Sequence, residues 1–172
     1  APDRPLARTV LRLSGQLPPA RRRKHIGRDV SAPPILCDHK VDARREWGVT
    51  RVGPRLFRRQ MESLARAGWG TLGSAELAAV VSPQLSPLTP HASRRLVLTF
   101  DDGYASLAAH AFPILADLGI RALVFVVTDY VGRENDWDVH YGWRRFRHLS
   151  WDELAHWSER GIEVHSHGAT PR

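Results

Sequence analysis

Three short apolar runs separated by helix-like segments constrain this chain's fold more than any other feature. They are Leu96 to Phe100, Ala122 to Val127 and Ile162 to Val164. The first two have strand length and are nearly continuous in apolar residues, as strands buried on both faces require, while Ile162 and Val164, flanking Glu163, begin the third. Between the first two lies a helical pattern over 105–118, interrupted at Pro113 and closed by Gly119. Between the second and third, Ser150 and Glu153 have capping-box spacing and open a helix to about Arg160, stopped by Gly161. Strand, helix, strand, helix, strand implies a parallel sheet with right-handed crossovers, an α/β fold. Upstream, Pro34 to Cys37 reads as a further strand and 41–52 as a loop. Pro54 opens a helix carrying Leu56, Phe57, Met61 and Leu64 at helical spacing, and Gly68 closes it. Ser74 caps a shorter helix to Val81. Residues 82–94, with three prolines, read as a surface loop, and 129–148 as a long aromatic and charged loop.

In parallel α/β folds, chemistry gathers at the C-terminal ends of the strands. Three polar clusters follow strand ends here: Asp38–His39, Asp101–Asp102 and His165–His167. Two adjacent carboxylates repel, so a cation or a catalytic task usually holds them together. Asp-Asp-Gly is also a good turn sequence in its own right. Aspartate and histidine suit Zn²⁺ and similar divalent ions, and a second carboxylate beside such an ion suits a general base. His165 and His167 share a face if the strand continues through them. Cys37, the single cysteine, lies in an apolar run and reads as a small buried residue; a thiol paired with His39 is the less favoured reading.

Composition sets the outer limits. The chain has 172 residues, enough for one domain with a core, and it is 42% hydrophobic. It has no apolar run long enough for a transmembrane helix and no signal-peptide pattern. Residues 1–32 are rich in Pro and Arg and read as a poorly ordered leader, leaving 33–172 as the folded part. The net charge is +7, concentrated in that leader around Arg21 to Lys24, and no nucleic-acid motif accompanies it. No nucleic-acid partner is therefore expected.

At this point the residues carry a family resemblance. Thr99 to Gly103 followed by Gly161 to His167 resembles the polysaccharide deacetylases, carbohydrate esterase family four with its NodB-homology domain. Pro34 to His39, the helix from Phe57 to Gly68, Ala122 to Val127 and Leu149 to Leu154 resemble further segments of that family. The resemblance implies the N-terminal part of a deformed (β/α) barrel. It implies metal-dependent removal of N- or O-linked acetyl from a carbohydrate polymer, with poly-N-acetylglucosamine or a related envelope glycan as first candidate. Carried over by position, Asp101 is the general base, and Asp102 and His167 are metal ligands. His165 stands in as an alternative ligand, and Tyr104 and His39 as substrate-binding residues. The cofactor is a divalent metal, Zn²⁺ first. Family members work mostly at the cell envelope or outside the cell.

The chain also departs from the family. The family's second histidine, counted from His167, falls on Pro171, and counted from His165 on Ala169. The family's later segments, including the one that brings the general acid, have no counterpart before Arg172. Asp38 replaces the usual tyrosine. Two expectations follow: a chain carrying part of a deacetylase domain, or a diverged glycan-binding protein without catalysis.

Overall fold

The computed structural model divides into residues 1–31 and 32–172, and it describes residues 32–44, 50–81, 94–136 and 145–170. Residues 1–31, 45–49, 82–93, 137–144 and 171–172 lie outside the described residues, and with them almost all of the expected leader and of the expected 82–94 loop, part of the expected 129–148 loop, and Pro171. Seven strands and five α-helices are described. In chain order they are β1 (Ile35–Asp38), β2 (Lys40–Val41), β3 (Arg51–Val52), α1 (Pro54–Arg66), β4 (Gly70–Thr71), α2 (Ser74–Val81), β5 (Arg95–Phe100), α3 (Ser106–His110), α4 (Phe112–Leu118), β6 (Ala122–Val127), α5 (Trp151–Ser158) and β7 (Ile162–Gly168). A 3₁₀ turn, Thr128–Tyr130, follows β6.

The main sheet has the order β1-β5-β6-β7, all parallel, and β4 pairs with the first residues of β5. Among the described residues the sheet is open between β1 and β7. One face of β5 and β6 presents Leu96, Leu98, Phe100, Ala122, Val124 and Val126 to the helices, where Phe57, Met61, Phe112, Leu115 and Leu154 meet them. The other face packs Val97 and Leu123 with Leu72 and with Leu77 and Val80 of α2. Covering both faces is what makes the central strands uninterruptedly apolar. Phe100 ties the layers together, with its ring 5.9 Å from both Phe57 of α1 and Phe112 of α4.

Several local expectations change in detail. The segment 105–118 is two helices breaking at Ala111, because Pro113 has no N–H to continue the ladder. The expected loop at 41–52 begins and ends in the short parallel pair β2–β3. Ser74 is not a simple cap. Its hydroxyl donates to Glu163 Oε2 at 2.6 Å and so ties α2 to β7, while Glu76 accepts the Gly73 N–H at 2.9 Å. Trp151 is 60% exposed, whereas Trp157 packs its ring 5.5 Å from that of Phe112. The Ser150–Glu153 capping box is formed in both directions, and Gly119 ends α4 in the left-handed region at φ 65°.

Candidate active site

The turn after β5 is the centre of the site. Parallel pairing sets Asp38 against Phe100, and the Asp101 N–H donates to the Asp38 carbonyl at 3.0 Å. This carries Asp101 to the edge of β1. Asp102 then turns left-handed at φ 66° and Gly103 at φ 70°. Aspartate is among the few non-glycine residues that accept this conformation. At Gly103 glycine is required, since a Cβ would lie 2.8 Å from Val126 Cγ1.

The 145–149 segment braces the turn. His148 Nδ1 lies 2.7 Å from the Asp102 carbonyl, so its N–H donates there in the tautomer that makes this bond. The Leu149 N–H donates to the Gly103 carbonyl and the Ala105 N–H to the Arg147 carbonyl, both at 2.8 Å. Tyr104 is 2% exposed, with Lys40 Nζ 4.6 Å above its ring and the His148 ring 4.8 Å away. The structure thus puts Tyr104, the substrate-binding candidate, in the packing beneath the turn.

The two histidines of β7 diverge. Val126 pairs with Ser166 and Val127 with Gly168, so a bulge falls at His167. A bulge re-aims a side chain. His167 Nε2 reaches within 3.8 Å of Asp101 Oδ2 across β6. His165 remains over the sheet, its ring 5.5 Å from Phe125 and its Nε2 3.7 Å from Glu163 Oε2. The shared face expected for the pair is therefore not kept.

Cys37 corrects the expectation of a buried thiol. It is exposed, because β1 is the outer strand, and its Sγ lies 3.4 Å from Asp101 Oδ2. Cys37, His39 and Asp101 bring one ligand atom each to within 4.8 Å of one another. Desolvation of the sulfur and the nearby Asp101 carboxylate push the thiol up. Burial raises the Asp102 carboxyl above the usual range, with Asp101 adding to it and His39 and His167 opposing. Asp38 is raised by burial too, with His39 opposing. The rim thus crowds carboxylates that lack full compensation, the condition a bound cation relieves. Carboxylates with imidazoles, and here a thiol, form a donor set that suits a zinc-like ion. Asp102 and His167 are the expected holders that face this rim, and His165 stands apart from it.

In sequence, Cys37 reads as a buried residue ahead of a thiol beside His39, because its neighbours are apolar, and His148 is missed. His148 carries no motif signal, since it acts on Asp102 from 46 residues away in the chain.

A parallel α/β sheet, open among the described residues, with carboxylates, imidazoles and a thiol collected at its strand ends defines the class: an α/β domain with its polar side chains gathered on one C-terminal rim. Residues 89–171 match the family model for polysaccharide deacetylase. The chain is 25% identical over 134 residues to YxkH of Bacillus subtilis (strain 168), whose name places it among the polysaccharide deacetylases, covering 78% of this chain and 41% of that protein. Among solved structures, IcaB from Ammonifex degensii superposes with a TM-score of 0.62 at 24% identity, over 77% of this chain and 51% of its own. The Streptococcus pyogenes deacetylase PplD gives 0.62 at 22% identity, over 78% and 55%. These two likenesses show the fold. The match to the polysaccharide deacetylase model lies within 89–171, just under half of the chain, and the chain spans less than half the length of the curated relative it matches.

Proposed function

We propose that the chain supplies the base-bearing side of a site that hydrolyses acetyl groups on a carbohydrate polymer, N-acetylglucosamine units first. The observation that carries this reading is the Asp101–His167 approach at 3.8 Å beside a half-buried Asp102 on one strand-end rim. Asp101 is the general base, taking the proton of the attacking water at its carboxylate. Its approach to His167 and its backbone bond to Asp38 hold that carboxylate at the rim. Asp102 and His167 would hold a divalent ion, Zn²⁺ first. When bound, such an ion polarises the acetyl carbonyl and acidifies water. His148 and Gly103 fix the turn that presents both carboxylates. His39, half-buried beside Asp101, is the residue proposed to contact the sugar.

A glycan-binding role without turnover is the second reading. It is favoured by His165, which faces Glu163 and leaves two of the expected ligands on the rim. Acetate release from acetylated chito-oligosaccharides, with and without added Zn²⁺, separates the two. Under the first reading Asp101→Asn lowers the rate by ~10²–10⁴, the usual worth of general acid–base catalysis. Release that is unchanged in Asp101→Asn overturns the assignment of the base. Retained glycan binding with no release by the unmodified protein establishes the second reading.

A further inference from the structure

The expected ligands and the ligands that converge are not the same residues. Among the described residues, the donor atoms that gather within 4.8 Å of one another are those of Cys37, His39 and Asp101. The sheet brings them together. Cys37 pairs with Thr99 and Asp38 with Phe100. His39 and Asp101 follow directly on the ends of these two strands, and the Asp101 N–H donates to the Asp38 carbonyl. Around a tetrahedral ion, bonds of about 2.3 Å to sulfur and about 2.0–2.2 Å to nitrogen or oxygen set donors roughly 3.3–3.7 Å apart. The Sγ–Oδ2 separation of 3.4 Å already lies in that range.

We infer that Cys37, His39 and Asp101 form a second cation site, selective for a thiophilic divalent ion such as Zn²⁺ or Co²⁺. Binding breaks the Cys37 S–H bond, releases the proton to solvent and forms a sulfur–metal bond. Asp101 contributes Oδ2 and His39 a ring nitrogen. Thiolate selects such ions over Mg²⁺ and Ca²⁺. The site goes beyond the deacetylase reading and does not depend on it. One consequence does rest on that reading: an ion held here occupies the proposed base, so excess thiophilic metal suppresses acetate release.

The test is Co²⁺ titration of the reduced, metal-free chain, followed by its thiolate-to-Co(II) charge-transfer absorption, with Zn²⁺ affinity measured by equilibrium dialysis. The band is expected in the unmodified protein, absent in Cys37→Ser, and retained in Asp102→Asn and His167→Ala. Zn²⁺ affinity is expected to fall in Cys37→Ser and in His39→Ala by more than the ~10–100-fold that loss of an outer-shell partner brings. Cys37 and His39 lie on or beside an exposed outer strand, and circular dichroism checks that these variants keep the fold. Absence of the band in the unmodified protein overturns the site. So does a band of unchanged strength in both His39→Ala and Asp101→Asn, which marks a thiol binding alone. Loss of the band in Asp102→Asn or His167→Ala assigns the ion to the other donor pair and also overturns it. The band needs no substrate, so its failure and the failure of acetate release are read separately.

Discussion

Gly103 concentrates the cost of building this turn. Its φ of 70° excludes most side chains, and Val126 Cγ1 occupies the space a Cβ would take. Gly103→Ala is expected to destabilise the fold by about 2 kcal/mol, combining left-handed strain with crowding of the core. Urea denaturation measures it, and adding Val126→Ala should recover the crowding part but not the strain. A double-mutant cycle then shows a coupling between the two sites; strict additivity would place the cost elsewhere. Asp102 beside it combines an uncommon backbone state with a carboxyl raised by burial. Both costs fall on the residue that the family resemblance makes a ligand, and local strain of this kind clusters at functional sites.

The N-terminus of α5 makes a sharper element than its eight residues suggest. Ser150 Oγ accepts the Glu153 N–H at 3.2 Å, Glu153 accepts the Ser150 N–H at 2.8 Å, and Arg147 grips the same carboxylate through two nitrogens at 2.7 and 2.8 Å. Ser150→Ala is expected to cost about 1 kcal/mol by thermal or urea unfolding. The Arg147 bonds, opposed by desolvation and aided by Ser150, hold the Glu153 carboxyl below its ordinary value of 4.5. A carboxyl lowered by folding adds stability above its unfolded value and loses it as pH falls through the folded one. Glu153→Gln should therefore destabilise at pH 7 but flatten the acid limb below about pH 4.5, measured as melting temperature against pH. An acid limb identical to that of the parent would show that Glu153 does not carry it. The capping box was legible as Ser150 and Glu153 three apart. The Arg147 grip was not, because it depends on the 145–149 segment lying against the turn after β5.

Across the whole molecule, Phe100 is the residue on which sheet and helices depend together. It is fully buried and meets Phe57 and Phe112 from opposite sides of the chain's order. Phe100→Ala should cost ~3–5 kcal/mol. That is a large share of the ~5–15 kcal/mol typical of a domain. It is read as a fall in the urea midpoint with an unchanged slope. The Ser74–Glu163 bonds act at the same range, joining α2 to β7 across 89 positions of sequence. The chain contains no described helix long and apolar enough to cross a membrane.

Local chemistry explains which features could be read in advance. The apolar runs at 96–100 and 122–127, Pro113, Gly119 and the Ser150–Glu153 spacing act through neighbours a few positions away, so the sequence alone determined the strands, the helix breaks and the parallel α/β order. The partnerships across the rim arise from register and bulge, which no run of residues encodes locally. Tertiary structure decided that β7 bulges at His167, sending it to Asp101 while His165 turns to Glu163. It also placed Cys37 on an outer strand beside Asp101 rather than in the core. The physical reason is the same in both cases. A strand's pattern states which residues alternate, but only its pairing with other strands fixes which side chains meet.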